Sequence, residues 1–353
     1  MDAAEAITDR LVRRELYRKG FANRISRQLA SLEVALVDDL SKALARLSTR
    51  DEARLLAGNY TTDRLRRLIS QVQDFSVSWA KIVRDQLEDG AIDLIEAEIE
   101  FERQFMATFA VESGIALSLD AVISPRQILN AAKRRPMETA VIKEVFPTME
   151  RNVRKRVVES LRISYQAGDS IGQAMSRLRS DRQLSINRRG AEGLARTVLA
   201  HYANQTTLES LRALGSKRVR YLSVLDGRTT EICMSRSGRE YDINDSRLPP
   251  IPAHYRCRST WISADIELEG TQSSRGSEGG RQVPAEYTYN DWLKTQPDSF
   301  VREVLGASRY TLWKAGKPVT AFTDRRATRV YSVTELRNRY SDIFSRANSA
   351  QAA

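Results

Sequence analysis

Residues 251–262, IPAHYRCRSTWI, bring one of the chain's two histidines within three positions of one of its two cysteines; the other cysteine, Cys233, stands upstream in LDGRTTEICMS. Cys233, His254 and Cys257 are soft or borderline donors, a set that suits Zn2+, although a structural zinc site generally takes four ligands. A carboxylate of Asp226, Asp242 or Asp245 could complete the shell, but those acids also suit the turns in which they lie. A Cys233–Cys257 disulfide and two packed free thiols are the alternatives. Cysteine catalysis would need a thiolate, a histidine base and a third orienting group. His254 with Arg256, Arg258 and Asp226 could also serve phosphodiester cleavage, with acid–base help and cationic support of the transition state. The plainer expectation has Arg256 and Arg258 pointing alternately outward along a strand. No P-loop, nucleophile elbow, H-E-x-x-H or dinucleotide fingerprint occurs. His201, beside Tyr202 and Asn204 with no cysteine or second histidine one turn away, reads as a packed or surface residue.

These residues must be held by a mainly α protein with a small α+β domain. Upstream of Pro125, the first proline, the chain is dense in Ala, Leu, Arg, Glu and Ile, so residues 1–120 read as a helical N-terminal region. Leu94, Phe101, Phe105 and Phe109 form one apolar stripe on it, a packing face or a seat for a partner's helix. Prolines 125, 136 and 147 predict shorter helices thereafter. Leu194, Val198, Tyr202, Leu208 and Leu211 continue at helical spacing until Gly215. A short sheet is expected near 217–265, from runs at Val219–Leu225, Tyr241–Ile243 and Thr260–Ile262, with Thr229 or Thr230 capping a helix through Cys233. Residues 121–268 therefore read as one domain. Residues 269–284, rich in Gly and Ser, read as a flexible linker. Residues 285–353 read as a helical extension, docked through Trp292, Leu293, Phe300, Val304, Leu305 and Trp313, with a Ser332/Glu335 capping box.

Lys and Arg exceed Asp and Glu by 56 to 45, giving a net charge of +11 that favours polyanionic partners. Lys133, Arg134, Arg135, Arg151, Arg154, Lys155 and Arg156 are the densest positive stretch. They suit sequence-blind contact with DNA phosphates, or simply a solvated helix face. Two cysteines in 353 residues exclude a disulfide-rich scaffold. No apolar run reaches transmembrane length, and the N-terminus lacks the apolar core of a signal peptide, so a cytoplasmic chain without membrane contact is expected.

The order of the pieces carries further information. ARTVLAHYANQ, then YLSVLDGRTTEIC, a G-R-E-Y turn, PPIPAHYRCRS and YNDWLKTQPDSFVREVLGASRYTLWKAGK together resemble the head morphogenesis family of tailed bacteriophages, the minor head proteins related to those of Mu-type phages. The resemblance covers roughly residues 160–340. It implies a structural, non-enzymatic protein of the virion, at the portal vertex or capsid interior, made in the host cytoplasm. Its roles would be head assembly, DNA packaging or genome delivery. Its implied partners are the portal protein, the major capsid or scaffolding protein, and packaged double-stranded DNA. Asp226, Arg228, Thr229, Thr230 and Arg258 match motif positions with structural roles. Family members carry H-x-x-C-R-C where this chain has His254, Cys257, Arg258 and Ser259, so one thiolate of an otherwise attractive zinc shell is lost, and the stretch is expected to close a small domain by packing or by a metal clip. The rival classes are a nuclease or toxin-like enzyme on the same domain and a host-side DNA-binding regulator; the latter lacks a recognisable reading helix.

Overall fold

The computed structural model describes residues 2–110, 116–137, 140–180, 182–276 and 278–352. About 65% of the chain is helical, and the described residues form twelve α-helices and two small three-stranded sheets, the mainly α, partly α+β class expected. Three helices are long: α1 (Ala3–Leu44), α3 (Asp63–Phe109) and α7 (Arg182–Leu214). The chain divides into two compact units along lines other than the sequence suggests. One comprises residues 1–14, 95–128 and 200–353, the other residues 15–94 and 129–199. Residues 1–120 are therefore no separate domain, and 121–268 is shared between units, because helices this long each enter two cores.

The second unit is helical. Phe21, Ile25 and Leu29 on α1 and Leu65, Leu68, Val72, Phe75 and Trp79 on α3 are buried at spacings of three and four. The Tyr17 hydroxyl donates to the Gly90 carbonyl at 2.7 Å, and a side chain at Gly90 would collide with the Phe21 ring. A short α2 (Thr49–Leu56) opens with a Ser48/Asp51 capping box. Then follow α4 (Pro125–Arg134), most of which lies in this unit, α5 (Ile142–Gln166) and α6 (Ile171–Arg179). Pro125 opens α4 where a missing N–H costs nothing, and Pro136 begins the two-residue strand β1 (Pro136–Met137), antiparallel to β2 (Ala140–Val141). Pro147, expected to end a helix, instead lies inside α5. Its place near the amino end removes one early hydrogen bond, while Val153, Val157 and Leu161 anchor the helix beyond it.

The first unit builds the mixed domain. The end of α7 turns at Gly215, whose φ is +98°; Ser216 N donates to Leu211 O and Gly215 N to Arg212 O, the paired bonds of a helix stop that only glycine adopts without strain. Then β3 (Arg218–Leu222) lies between β5 (Glu240–Asp242) and β6 (Thr260–Ser263), both antiparallel to it. Tyr221 and Trp261 pack edge to face over a core containing Phe105, Met106, Leu208, Leu211 and Val219. Phe101 stacks on Phe105, Phe105 meets Phe109 at a tilt of 50°, and all three pack against that core, so their stripe is a packing face.

Residues 269–284 are not a linker. After β4 (Leu225–Asp226), strands β7 (Thr271–Gly276) and β8 (Gly279–Pro284) form an antiparallel hairpin, and β7 pairs parallel with β4. Composition misled because the hairpin's inward residues are polar and bonded: Gln272 Nε2 donates to Ala285 O at 2.8 Å and Tyr287 O at 3.0 Å, and Ser274 Oγ to Arg281 O at 3.1 Å.

The tail is helical as expected. After α8 (Glu231–Arg236) in the mixed domain come α9 (Tyr289–Lys294), α10 (Asp298–Lys314), which kinks at Gly306, α11 (Val333–Arg339) and α12 (Ser341–Ala352). Trp292, Leu293, Val301, Leu305 and Phe322 bury against Leu225 and Met234, with Phe300, Val304 and Trp313 half-buried around them. The Ser332/Glu335 capping box forms as read.

Buried charges tie this unit together. Glu98 accepts from Arg10 Nε at 2.7 Å and from Arg14 Nε and Nη2 at 2.7 and 2.6 Å; Arg10 also meets Glu102 at 2.7 Å. Arg10 reaches Thr207 on α7 and Arg14 reaches Thr260 on β6, at 2.6 and 2.7 Å.

Candidate functional site

Cys233 is presented by α8 and is fully buried. His254 and Cys257 come from the irregular segment between β5 and β6, where Cys257 N donates to His254 O at 3.1 Å. Their donor atoms all lie within 4.8 Å of one another. Cys233 Sγ is 3.3 Å from His254 Nε2 and 3.8 Å from Cys257 Sγ, and both cysteines are free. The sequence's three donors thus converge, and of the alternatives open at that stage the disulfide is not formed.

The surroundings fix the protons. His254 Nδ1 lies 3.0 Å from the Tyr255 carbonyl, which can only accept, so Nδ1 carries a hydrogen, and Nε2 faces Cys233. The hydrogen bond with Cys257, and then burial, push the Cys233 thiol well up. Cys257 is drawn well down by that hydrogen bond from Cys233, against burial, and by His254. Tyr221 places its hydroxyl 3.3 Å from Cys233 Sγ, a neighbour that no local pattern announced.

A second constellation stands beside it. Arg258 grips Asp226 with two bonds, at 2.5 and 2.7 Å, and Asp226 also accepts from Arg228 N at 3.0 Å. Burial opposes ionisation of Asp226, but the Arg258 hydrogen bond and charge prevail and lower its pKa; the same pair raises Arg258. Tyr289, at the start of α9, donates its hydroxyl to Asp226 O at 2.8 Å, and burial with the Asp226 charge pushes that hydroxyl's pKa well up.

Several expectations need correction here. Arg258 turns inward instead of alternating outward along a strand, and Arg256 has a φ of +60° outside any strand. Asp226 is committed to Arg258, while Asp242 and Asp245 accept from the amides of Asn244 and Arg247, so none of the three joins the cysteines. Thr230 occupies the N-cap of α8 without a side-chain cap bond, and Thr229 Oγ1 instead donates to Val224 O at 2.6 Å. His201 is packed, its ring 6.1 Å from that of Tyr202.

No family model, curated protein or solved structure matches the chain.

The basic stretch lies in the other unit. On α5, Arg151, Arg154 and Lys155 share one face, opposite buried Val153 and Val157, and Arg156 points away toward Glu159. Arg154 is engaged by Gln73, Arg151 by Thr148 and Lys133 by Glu88, whereas exposed Arg134 and Lys155 have no hydrogen-bond or ion-pair partner among the described residues. Arg135 is half-buried and engaged. Lys133 and Arg134 line a groove with Lys81 and Arg84 of α3, against Glu88 and Glu150. Lys81 and Arg84 were missed because isolated cations on a long amphipathic helix look like ordinary solvated residues.

Proposed function

We propose that the chain is a minor structural protein of a tailed-phage head, associated with the portal vertex, acting in head assembly, DNA packaging or genome delivery, with non-specific DNA contact. Its partners on this reading are the portal protein, the major capsid or scaffolding protein and packaged double-stranded DNA. One observation carries the proposal. Three of the five segments on which the family resemblance rests are joined by the bonds of Asp226: LDGRTT supplies its carboxylate and carbonyl, HYRCR the Arg258 fork to the carboxylate and YNDW the Tyr289 hydroxyl to the carbonyl. Motif residues spent on holding a domain closed are what a structural protein needs.

The nuclease or toxin-like alternative requires His254 as a base facing substrate, yet its two ring nitrogens face the Tyr255 carbonyl and Cys233. Quantitative mass spectrometry of purified DNA-filled particles tests the proposal. The expected result is this chain at a small, fixed ratio to the portal protein. Absence from particles, with abundance in the lysate, would overturn it.

A further inference from the structure

We propose that Cys233, His254 and Cys257 bind one zinc ion as a three-residue site whose fourth position is an exchangeable water in an arginine-lined recess. This goes beyond the head-protein reading and stands on geometry alone.

A tetrahedral zinc with bonds of about 2.3 Å to sulfur and 2.0 to 2.1 Å to nitrogen has a sulfur–sulfur edge of about 3.8 Å and a sulfur–nitrogen edge of about 3.6 Å. Two of the three observed edges are 3.8 Å between the thiol sulfurs and 3.3 Å from Cys233 to His254 Nε2, and the third, from Cys257 to His254, is no longer than 4.8 Å, so the donors need to close by at most about an ångström. The imidazole is already oriented for binding, its Nδ1–H spent on a backbone carbonyl, the usual outer-shell device for a zinc histidine, with Nε2 left facing the sulfurs. Tyr221 and Ser259 are hydrogen-bond partners of Cys233, as a zinc thiolate's neighbours would be. Two thiolates balance the ion's charge, so the buried cluster is neutral; any proton still held by the donor atoms leaves to solvent on binding.

The fourth position decides the type of site. Asp226 is held by Arg258, and Ser259, which hydrogen-bonds Cys233 and lines the recess beside it, is a hydroxyl and not a thiolate. Beside the donors opens a recess lined by Arg228, Thr229, Arg256, Arg258 and Ser259, with about 20 Å³ of room for the centre of a water-sized sphere, about one water's worth. A water there is the fourth ligand, and the surrounding guanidinium groups favour its exchange for a small anion.

The experiment uses the full chain, purified under reducing conditions. Elemental analysis should find one zinc per chain, and His254→Ala should lose it. Substitution with Co2+ should give thiolate charge-transfer and tetrahedral d–d bands that shift on adding azide. Ser259→Cys should strengthen the charge-transfer band and abolish the azide response, because a third thiolate closes the shell. Metal content in the parent no higher than in His254→Ala, or a Ser259→Cys spectrum identical to the parent's, overturns the site. Bands that ignore azide in the parent overturn the open position. If His254→Ala does not fold, the Ser259→Cys comparison still decides.

Discussion

Glu98 and Glu102 sit one turn apart on α3, equally buried, yet their environments separate them. Burial pushes the Glu98 carboxyl up, but Arg10 and Arg14 prevail and hold it at about 2; burial, with the Glu98 charge, leaves Glu102 raised. The two residues should therefore answer the same substitution differently. Glu98→Gln leaves buried Arg14 without a carboxylate and Arg10 with Glu102 alone, and should cost about 3 to 5 kcal/mol. Glu102→Gln keeps an acceptor for Arg10 and should cost about 1 kcal/mol or less. The acid response has opposite signs. The stability from Glu98 is full above its ordinary 4.5 and lost as pH falls toward about 2, whereas that from Glu102 is full below 4.5 and lost as pH rises through its elevated value. Glu102→Gln should lose the gain in stability that the parent shows as pH falls from that elevated value to 4.5, and should run parallel to the parent below 4.5. Urea denaturation at several pH values measures both effects, and equal costs for the two variants would refute the division of roles. None of this was legible in the sequence. Arg10 and Glu98 are 88 positions apart, and each reads locally as a charge on a helix's wet face.

At the scale of elements, local chemistry was readable wherever a local rule decides. Gly215 ends α7, Ser332 and Glu335 cap α11, and the strands of the β5–β3–β6 sheet fall within a residue or so of the β-type runs at Val219, Tyr241–Ile243 and Thr260–Ile262. Convergence of Cys233 with His254 and Cys257 was suggested by residue type, while Tyr289 reaching Asp226 across 63 positions was not, since only the tertiary fold makes that neighbourhood. The β7–β8 hairpin is the clearest failure of composition, because its Gly and Ser content suits a disordered spacer as well as a polar strand pair. The two differ in behaviour. A spacer would be cut by trypsin at exposed Arg275 and Arg281 at rates typical of unfolded chain, and its amides would exchange at once. A ladder paired from Thr271 with Pro284 to Gly276 with Gly279 should resist cleavage and protect its bonded amides. Rapid cutting at both arginines in the otherwise native chain would restore the linker.

For the whole molecule, the +11 charge says only that polyanions are attracted; the described ion pairs engage many of the 56 Lys and Arg with acids of the chain, but the net excess stays uncompensated. Only side chains still able to release counterions from DNA should contribute to the salt dependence of binding, so a count of basic residues overstates the contact. Within the basic stretch from Lys133 to Arg156 that distinction singles out Arg134 and Lys155, while Lys133 already faces Glu88 at 2.9 Å and Arg154 is engaged by Gln73. Binding to random-sequence duplex should weaken linearly in log K against log salt, with each phosphate contact contributing a slope of about 0.9. Replacing Arg134 and Lys155 together by alanine should flatten the slope by about 2 and lower affinity equally for unrelated duplexes. Lys133→Ala should change the slope less, since its charge is shared with a carboxylate before DNA arrives. Fluorescence anisotropy titrations at several salt concentrations read all three. An unchanged slope in the double variant would remove this face from the DNA contact and leave the positive charge to the protein's solubility and internal pairing.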